Sequence, residues 1–286
     1  MVKNIHTTTN KDFKTRYRKE KLLGTGSFGR VYAGFDKIEK HPVAIKEFFV
    51  EGNLFAEILK ELEDEWSIVS KLDHPNLVKY YEYYYVDKKV IYLIMELIVG
   101  SELRNKDYMG DFWNISIDIF DALSYLHQKG VAHRDVKSEN IIVKSNGDAV
   151  LVDYGLACLV KENIKGKLSC KSGSGTPYYI SPELYRSEYK KDPYIFYSND
   201  VWGAGATIYE IYFGTFLIDD IFPAKKSSFS FEDIRRMTKK IKSPIITDPK
   251  NVYEEFIDYV LNVSYKNRPT AVDCYNVCLD IIQSQK

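Results

Sequence analysis

The segment His133-Arg134-Asp135-Val136-Lys137-Ser138-Glu139-Asn140 holds an Asp, a Lys two residues further on and an Asn five residues further on. Together they supply a proton acceptor, a cation able to face a phosphate and an oxygen ligand for a metal. Phosphoryl transfer needs all three close to one another. A second carboxylate, Asp153 in Asp153-Tyr154-Gly155, ends an apolar strand before a glycine. With Asn140 it offers the hard oxygen donors that magnesium takes, leaving room for waters and phosphate oxygens.

Phosphates need a cradle, and Gly24-Thr25-Gly26-Ser27-Phe28-Gly29 can make one, because glycine lets backbone N–H groups approach closely. The same glycine spacing opens dinucleotide-binding folds, where a helix follows it. Here Arg30 to Phe35 reads as a strand, which argues against an oxidoreductase. Lys46 ends the apolar run Val43-Ala44-Ile45. As a phosphate-bracing cation it requires a carboxylate to hold it. Glu65 is the candidate, since it shares a helix face with Leu62 and Val69.

The elements that must position these groups follow from hydrophobic period. From Tyr17 to about Leu93 the chain reads as strands (Lys21–Leu23, Val31–Phe35, Val43–Phe49, Leu77–Tyr85, Val90–Leu97) with one helix from about Asn53 to Lys71. The Tyr clusters at 80–81 and 83–85 read as strand packing. After Gly100 helices dominate: Phe112–Gln128, Asn199–Phe213, Phe231–Ile241, Val252–Val263 and Ala271–Ser284. Asn146-Gly147 marks a hairpin between Ile141–Val143 and Val150–Val152. Lys161 to Gly175, rich in Lys, Ser and Gly, reads as a loop.

At 286 residues, 45% hydrophobic and 28% charged, the chain can form two lobes around a cleft. Forty basic residues balance forty acidic ones, which argues against nucleic acid or an anionic membrane as the partner. No apolar run is long enough to span a bilayer, and the N-terminus lacks a signal-peptide core. The four cysteines (158, 170, 274, 278) read as buried, reduced side chains in an intracellular, cytoplasmic protein.

Taken in order, the glycine loop, Lys46, Glu65, the 133–140 loop, Asp153, Pro182-Glu183, Asp200 and Arg268 resemble a eukaryotic-type protein kinase, from about Tyr17 to Ile282. The resemblance implies an α+β, two-lobed fold: an N-lobe antiparallel sheet with one helix over 17–97, a hinge at 96–100 and a mainly helical C-lobe over 101–286, after a tail of 1–16. It implies ATP and Mg2+ as cofactors, a protein substrate and a monomer. Leu23, Gly24, Thr25, Gly26, Ser27, Phe28, Gly29 and Val31 would cover ATP. Ala44 and Ile142 would flank the adenine with Val31, Met95 would sit behind it, and the Glu96–Ile98 backbone would bond its edge. Glu102 resembles the ribose contact. Lys46 would contact phosphates, held by Glu65, and Asn140 and Asp153 would bind metal. Asp135 would take the substrate proton while Lys137 neutralises the moving phosphoryl. Glu183 and Arg268 would form a buried ion pair, and Asp200 would brace the catalytic loop.

Lys137 and Thr176, in Gly175-Thr176-Pro177-Tyr178-Tyr179, resemble the Ser/Thr-specific members. Arg134 before the catalytic Asp implies control by activation-loop phosphorylation, at Ser172 or alternatively Ser169 or Ser174; an unmodified loop ordered by substrate is the other reading. About sixteen residues precede the fold and few follow it, so control is expected from this loop, from partners or from abundance. Two positions depart from the family pattern: Tyr154 stands where Phe is usual, and Ser181 where Ala is usual. The alternative reading is a pseudokinase-like nucleotide-binding scaffold, which loss of Lys46, Asp135, Asn140 or Asp153 would favour; all four are present.

Overall fold

Runs of consecutively buried residues, Val43–Glu47, Glu82–Val86 and Ile91–Ile94, build the centre of the sheet in the N-terminal half. In the computed structural model, which describes residues 5–26, 29–49, 63, 66–86, 89–105, 108, 111–160, 170, 175–188, 192–223 and 229–284, the chain divides into two compact units, Met1–Val99 and Gly100–Lys286.

The first unit carries β1 (Ile5–Thr8), α1 (Asn10–Arg16), β2 (Tyr17–Gly26), β3 (Gly29–Asp36), β4 (His41–Phe49), β5 (Tyr80–Val86) and β6 (Val90–Glu96). They form one six-stranded sheet in the order β1-β5-β6-β4-β3-β2. The five strands from Tyr17 onward pair antiparallel, while β1 joins β5 in parallel, Ile5 opposite Tyr83 and Thr8 opposite Val86. Period 2 splits β4 into two faces. Val43 and Ile45 join Phe13, Tyr17, Tyr84, Val86, Tyr92 and Ile94 in a core on one face, and Ala44 and Lys46 take the other. The Tyr cluster packs as expected: Tyr80, Tyr83, Tyr84 and Tyr85 are all buried. Residues 66–69 are helical, with Trp66 and Val69 buried; most of the helix expected over 53–71 lies outside the described residues.

Residues 5–16 are not a tail, since they form β1 and α1. Thr9 caps α1 by accepting from the Asp12 N–H at 3.1 Å and donating its hydroxyl to the Asp12 carboxylate at 2.6 Å. Phe13 then stacks on Tyr92 with centroids 4.2 Å apart. Arg16 pairs with both Asp36 and Glu82 at 2.9 Å.

The second unit is mainly helical. The helix Phe112–Gln128 buries Ile115, Ile119, Leu123 and Leu126 on one face. The helix Ile195–Phe213 is buried nearly all round and stops at Gly214 in the left-handed conformation, φ 70°. β9 (Ile141–Lys144) and β10 (Ala149–Leu151) form the expected hairpin through Asn146-Gly147, and β7 (Gly100–Glu102) adds to β9. β8 (Val131–Ala132) pairs with β11 (Cys158–Leu159). The reading of all four cysteines as reduced is corrected: Cys158 and Cys170 form a disulfide, while Cys274 and Cys278 are free and buried. Among the described residues no helix is long and apolar enough to cross a membrane.

Candidate active site

The 133–140 loop starts directly after β8 and is held from the helix Ile195–Phe213. Asp200 on that helix is fully buried, and its carboxylate accepts the backbone N–H groups of His133 and Arg134, each at 2.7 Å. A third contact, His127 Nε2, lies 3.0 Å away. A buried carboxylate requires such partners. The two loop N–H groups can reach it because Arg134 takes a left-handed backbone, φ 71°, a conformation costing a bulky residue about 1–3 kcal/mol. The Arg134 guanidinium donates to the Leu156 carbonyl at 3.2 Å and lies 5.5 Å from the Phe196 ring centroid.

Asp135, next in the chain, has its carboxylate ringed by donors. It pairs with Lys137 Nζ at 2.9 Å and accepts from the Thr176 hydroxyl at 2.8 Å, the Thr176 N–H at 3.0 Å and Asn140 Nδ2 at 3.0 Å. Lys137 Nζ also donates to Thr176 Oγ1 at 2.6 Å. One aliphatic hydroxyl is thus gripped by a carboxylate that accepts its proton and an ammonium that faces its oxygen. Gly175 makes the approach possible. Its φ is 124°, and a Cβ there would stand 2.9 Å from the Arg134 carbonyl oxygen, so no other residue fits without moving the loop.

Asn140 spends its amide N–H2 on the Asp135 carboxylate and carbonyl, which leaves its side-chain oxygen as an acceptor. Its backbone carbonyl takes the Val152 N–H at 2.8 Å, fixing the strand that ends at Asp153. Asp153 is also left-handed, φ 67°, and its Oδ1 accepts from Gly155 N–H at 3.2 Å. Tyr154 is buried, edge-on to His133 at 5.7 Å. Burial pushes the His133 imidazole below its ordinary value, against the opposing pull of Asp200, Asp135 and Asp153. The neutral ring accepts the Asp135 N–H at Nδ1, 3.3 Å.

In the first unit, strand register places Val31 opposite Lys46 and Ala44 opposite Met95. All four therefore share one face of the sheet. Lys46 is buried, and the glycine turn joins β2 to β3, with Gly24 opposite Val31. Gly29 has φ 130°, and a Cβ there would fall 2.0 Å from the Glu47 carbonyl oxygen. Leu23 is half exposed. Ser27, Phe28, Glu65 and Ser172 lie outside the described residues, so the expected Lys46–Glu65 pair does too. Glu96 closes β6, with its N–H bonded to the Lys79 carbonyl at 2.8 Å, and Ile98 follows it half-buried. In the second unit Glu102 is opposite Ile142 in register.

The family model for the protein kinase domain matches residues 17–278. The chain belongs to the protein kinase family. It is 34% identical over 277 residues to calcium-dependent protein kinase 5 of Plasmodium berghei, a match covering 91% of this chain and 45% of that protein. It is 30% identical to mitogen-activated protein kinase kinase kinase 5 of Arabidopsis thaliana, covering 90% and 36% respectively. An Aurora kinase of Eremothecium gossypii is 30% identical, covering 84% and 63%. The match thus spans less than two thirds of the length of each of these relatives.

This kinase domain also holds the expected ion pair. Arg268 and Glu183 are both buried and doubly bonded, with Arg268 Nη2 to Glu183 Oε2 at 3.1 Å. Arg268 further donates to the Ser198 carbonyl at 2.9 Å and the Asn262 carbonyl at 2.8 Å, and stacks over Trp202. Two polar anchors escape a sequence reading. Asn199 accepts the Ser181 N–H at 3.0 Å, and His127 braces Asp200. A polar side chain in an otherwise buried helix was the available signal for Asn199. His127 sits in the last turn of its helix and carries none.

Proposed function

We propose that this kinase domain transfers the γ-phosphate of ATP to Ser or Thr hydroxyls of a protein substrate. The observation that carries the reading is the grip of Asp135 and Lys137 on the Thr176 hydroxyl, the contacts that an incoming Ser or Thr would need. Asp135 orients the substrate hydroxyl and accepts its proton, and Lys137 offsets charge on the transferring phosphoryl. Positioning and charge stabilisation carry most of the rate, because the transition state asks for little covalent help.

The residues fit ATP with magnesium. Asn140 and Asp153 would hold the metal through side-chain oxygens, and bound magnesium would neutralise phosphate charge. From the first unit, the backbone of Gly24–Gly29 would receive the phosphates, and Lys46 would brace them with Glu65 as its counter-charge. Val31 and Ala44, on one face of the first unit's sheet, would supply apolar surface for the adenine. Arg134 would receive a phosphate on the activation loop, Ser172 being the first candidate.

The test is magnesium-dependent transfer of labelled γ-phosphate to a basic Ser/Thr protein substrate, with Asp135→Asn as control. Incorporation onto Ser and Thr that disappears in the variant supports the reading. Incorporation that survives Asp135→Asn, or none in the unaltered chain, overturns it.

A further inference from the structure

The segment from Lys161 to Gly175 is poor in apolar side chains, with Ile164 and Leu168 the large ones. The described residues on either side of it meet the 133–140 loop and its preceding strand. At one end Cys158 lies on β11, opposite Ala132, the residue before His133. At the other, Thr176 is bonded to Asp135 and Lys137.

The disulfide ties the first of these ends to Cys170, six residues before Thr176. The Cα atoms of Cys158 and Cys170 are 5.3 Å apart across a sequence separation of 12. Both cysteines are buried in a small cluster with Ala132 and Phe196, under Val160, Leu184 and Tyr197. Phe196 is also the ring over which the Arg134 guanidinium lies. The covalent tie therefore lands beside the cation that a loop phosphate would seek.

We propose that Cys158 and Cys170 are a thiol–disulfide modification site that sets the activity of this kinase. Their bond holds Cys170 against β11 and so keeps Thr176 close to Asp135, as a phosphate paired with Arg134 would. The proposal rests on the kinase reading above. Oxidation proceeds by exchange with a small disulfide such as glutathione disulfide. One thiolate attacks it, forming a mixed disulfide and releasing one glutathione; the second thiolate attacks the mixed disulfide and releases the other. Two thiol protons are lost and one glutathione disulfide is reduced to two glutathiones; excess glutathione reverses both steps. Cys274 and Cys278 are bystanders, fully buried on the helix Ala271–Ser284, where burial pushes both thiols up and suppresses the reactive thiolate.

The experiment uses the full chain after phosphatase treatment, equilibrated to constant thiol count in graded glutathione and glutathione disulfide. Alkylation after denaturation should modify four cysteines in the reduced chain and two in the oxidised one, with a 158–170 cross-linked peptide by mass spectrometry. The oxidised chain should transfer phosphate roughly fivefold faster or more, the lower end of ordinary coupling between sites, and should resist trypsin at Lys171. Cys170→Ser and the Cys158→Ala/Cys170→Ala double variant should stay at the reduced rate in every buffer. Absence of the cross-link overturns the proposal. So does a cross-link that changes neither rate nor cleavage. Lack of transfer in both states would instead bring down the kinase reading, and with it the claim about activity; cleavage at Lys171 would still decide the tether.

Discussion

Replacing Asp200 by Asn keeps the shape of a fully buried side chain and removes its charge. The carboxylate accepts two backbone N–H groups at 2.7 Å. The amide can accept with one oxygen only, and its N–H2 then faces a donor. Hydrogen bonds to charged groups contribute about 1.5–3 kcal/mol each, and a buried donor left unpaired costs about 1–3 kcal/mol. Losing one bond and weakening the other therefore comes to about 2–4 kcal/mol. Those bonds help hold Arg134 at φ 71°, so the loop itself should relax and carry Asp135 away from the hydroxyl it is proposed to deprotonate. At 1.36 kcal/mol per decade, the expected fall in kcat is about 30- to 1000-fold. The melting temperature should drop only a few degrees, since much of the loss is local. Steady-state phosphorylation of a basic Ser/Thr substrate, alongside thermal unfolding, measures both. A kcat within twofold of the unaltered chain would refute the reasoning, because the loop would then not need this anchor.

Removing either partner of the Arg268–Glu183 pair leaves a charge buried in the second unit. Arg268→Ala and Glu183→Gln should each cost about 3–5 kcal/mol in urea unfolding, with the double variant milder than their sum. Gly175→Ala places a Cβ 2.9 Å from the Arg134 carbonyl on an unfavourable backbone; its phosphotransfer should fall at least about tenfold, a loss of 1.4 kcal/mol in positioning, with little change in melting temperature. His133 is held below its ordinary value by burial. Its contribution to stability is complete above the unfolded value near pH 6.5 and declines as the pH falls through that value, where the unfolded chain takes up the proton first. Unfolding between pH 5 and 8 should show that slope, flattened in His133→Phe.

The long helix Phe112–Gln128 was legible to the residue, because apolar positions at helical spacing run up to a stop at Gly130 and tertiary packing reinforces them. The β9–β10 hairpin was legible for a similar local reason, its Asn-Gly turn. Residues 5–16 were not: β1 is a four-residue strand of mixed polarity, made by a partner almost eighty positions away, and such pairing leaves no periodic trace. Asp135 and Lys137 stood out by their spacing. Their meeting with Thr176 followed from family resemblance, since no local pattern brings 135 and 176 together. The disulfide escaped for the same reason, as cysteine spacing does not give connectivity.

The strand β1 has a further consequence, for solubility. It occupies the outer rim of β5, whose sequence Tyr-Tyr-Glu-Tyr-Tyr-Tyr-Val is aromatic and nearly uncharged, the kind of open edge on which a second chain can add by strand pairing. The family match begins at Tyr17, so a chain cut there would keep every residue proposed for catalysis and lose its edge guard. It would also lose Arg16, the cation paired with Asp36 and Glu82. Such a chain should aggregate in proportion to its concentration, and one begun at Met1 should stay dispersed. The limit of a homologous domain and the limit of a well-behaved molecule are, for this protein, different places in the chain.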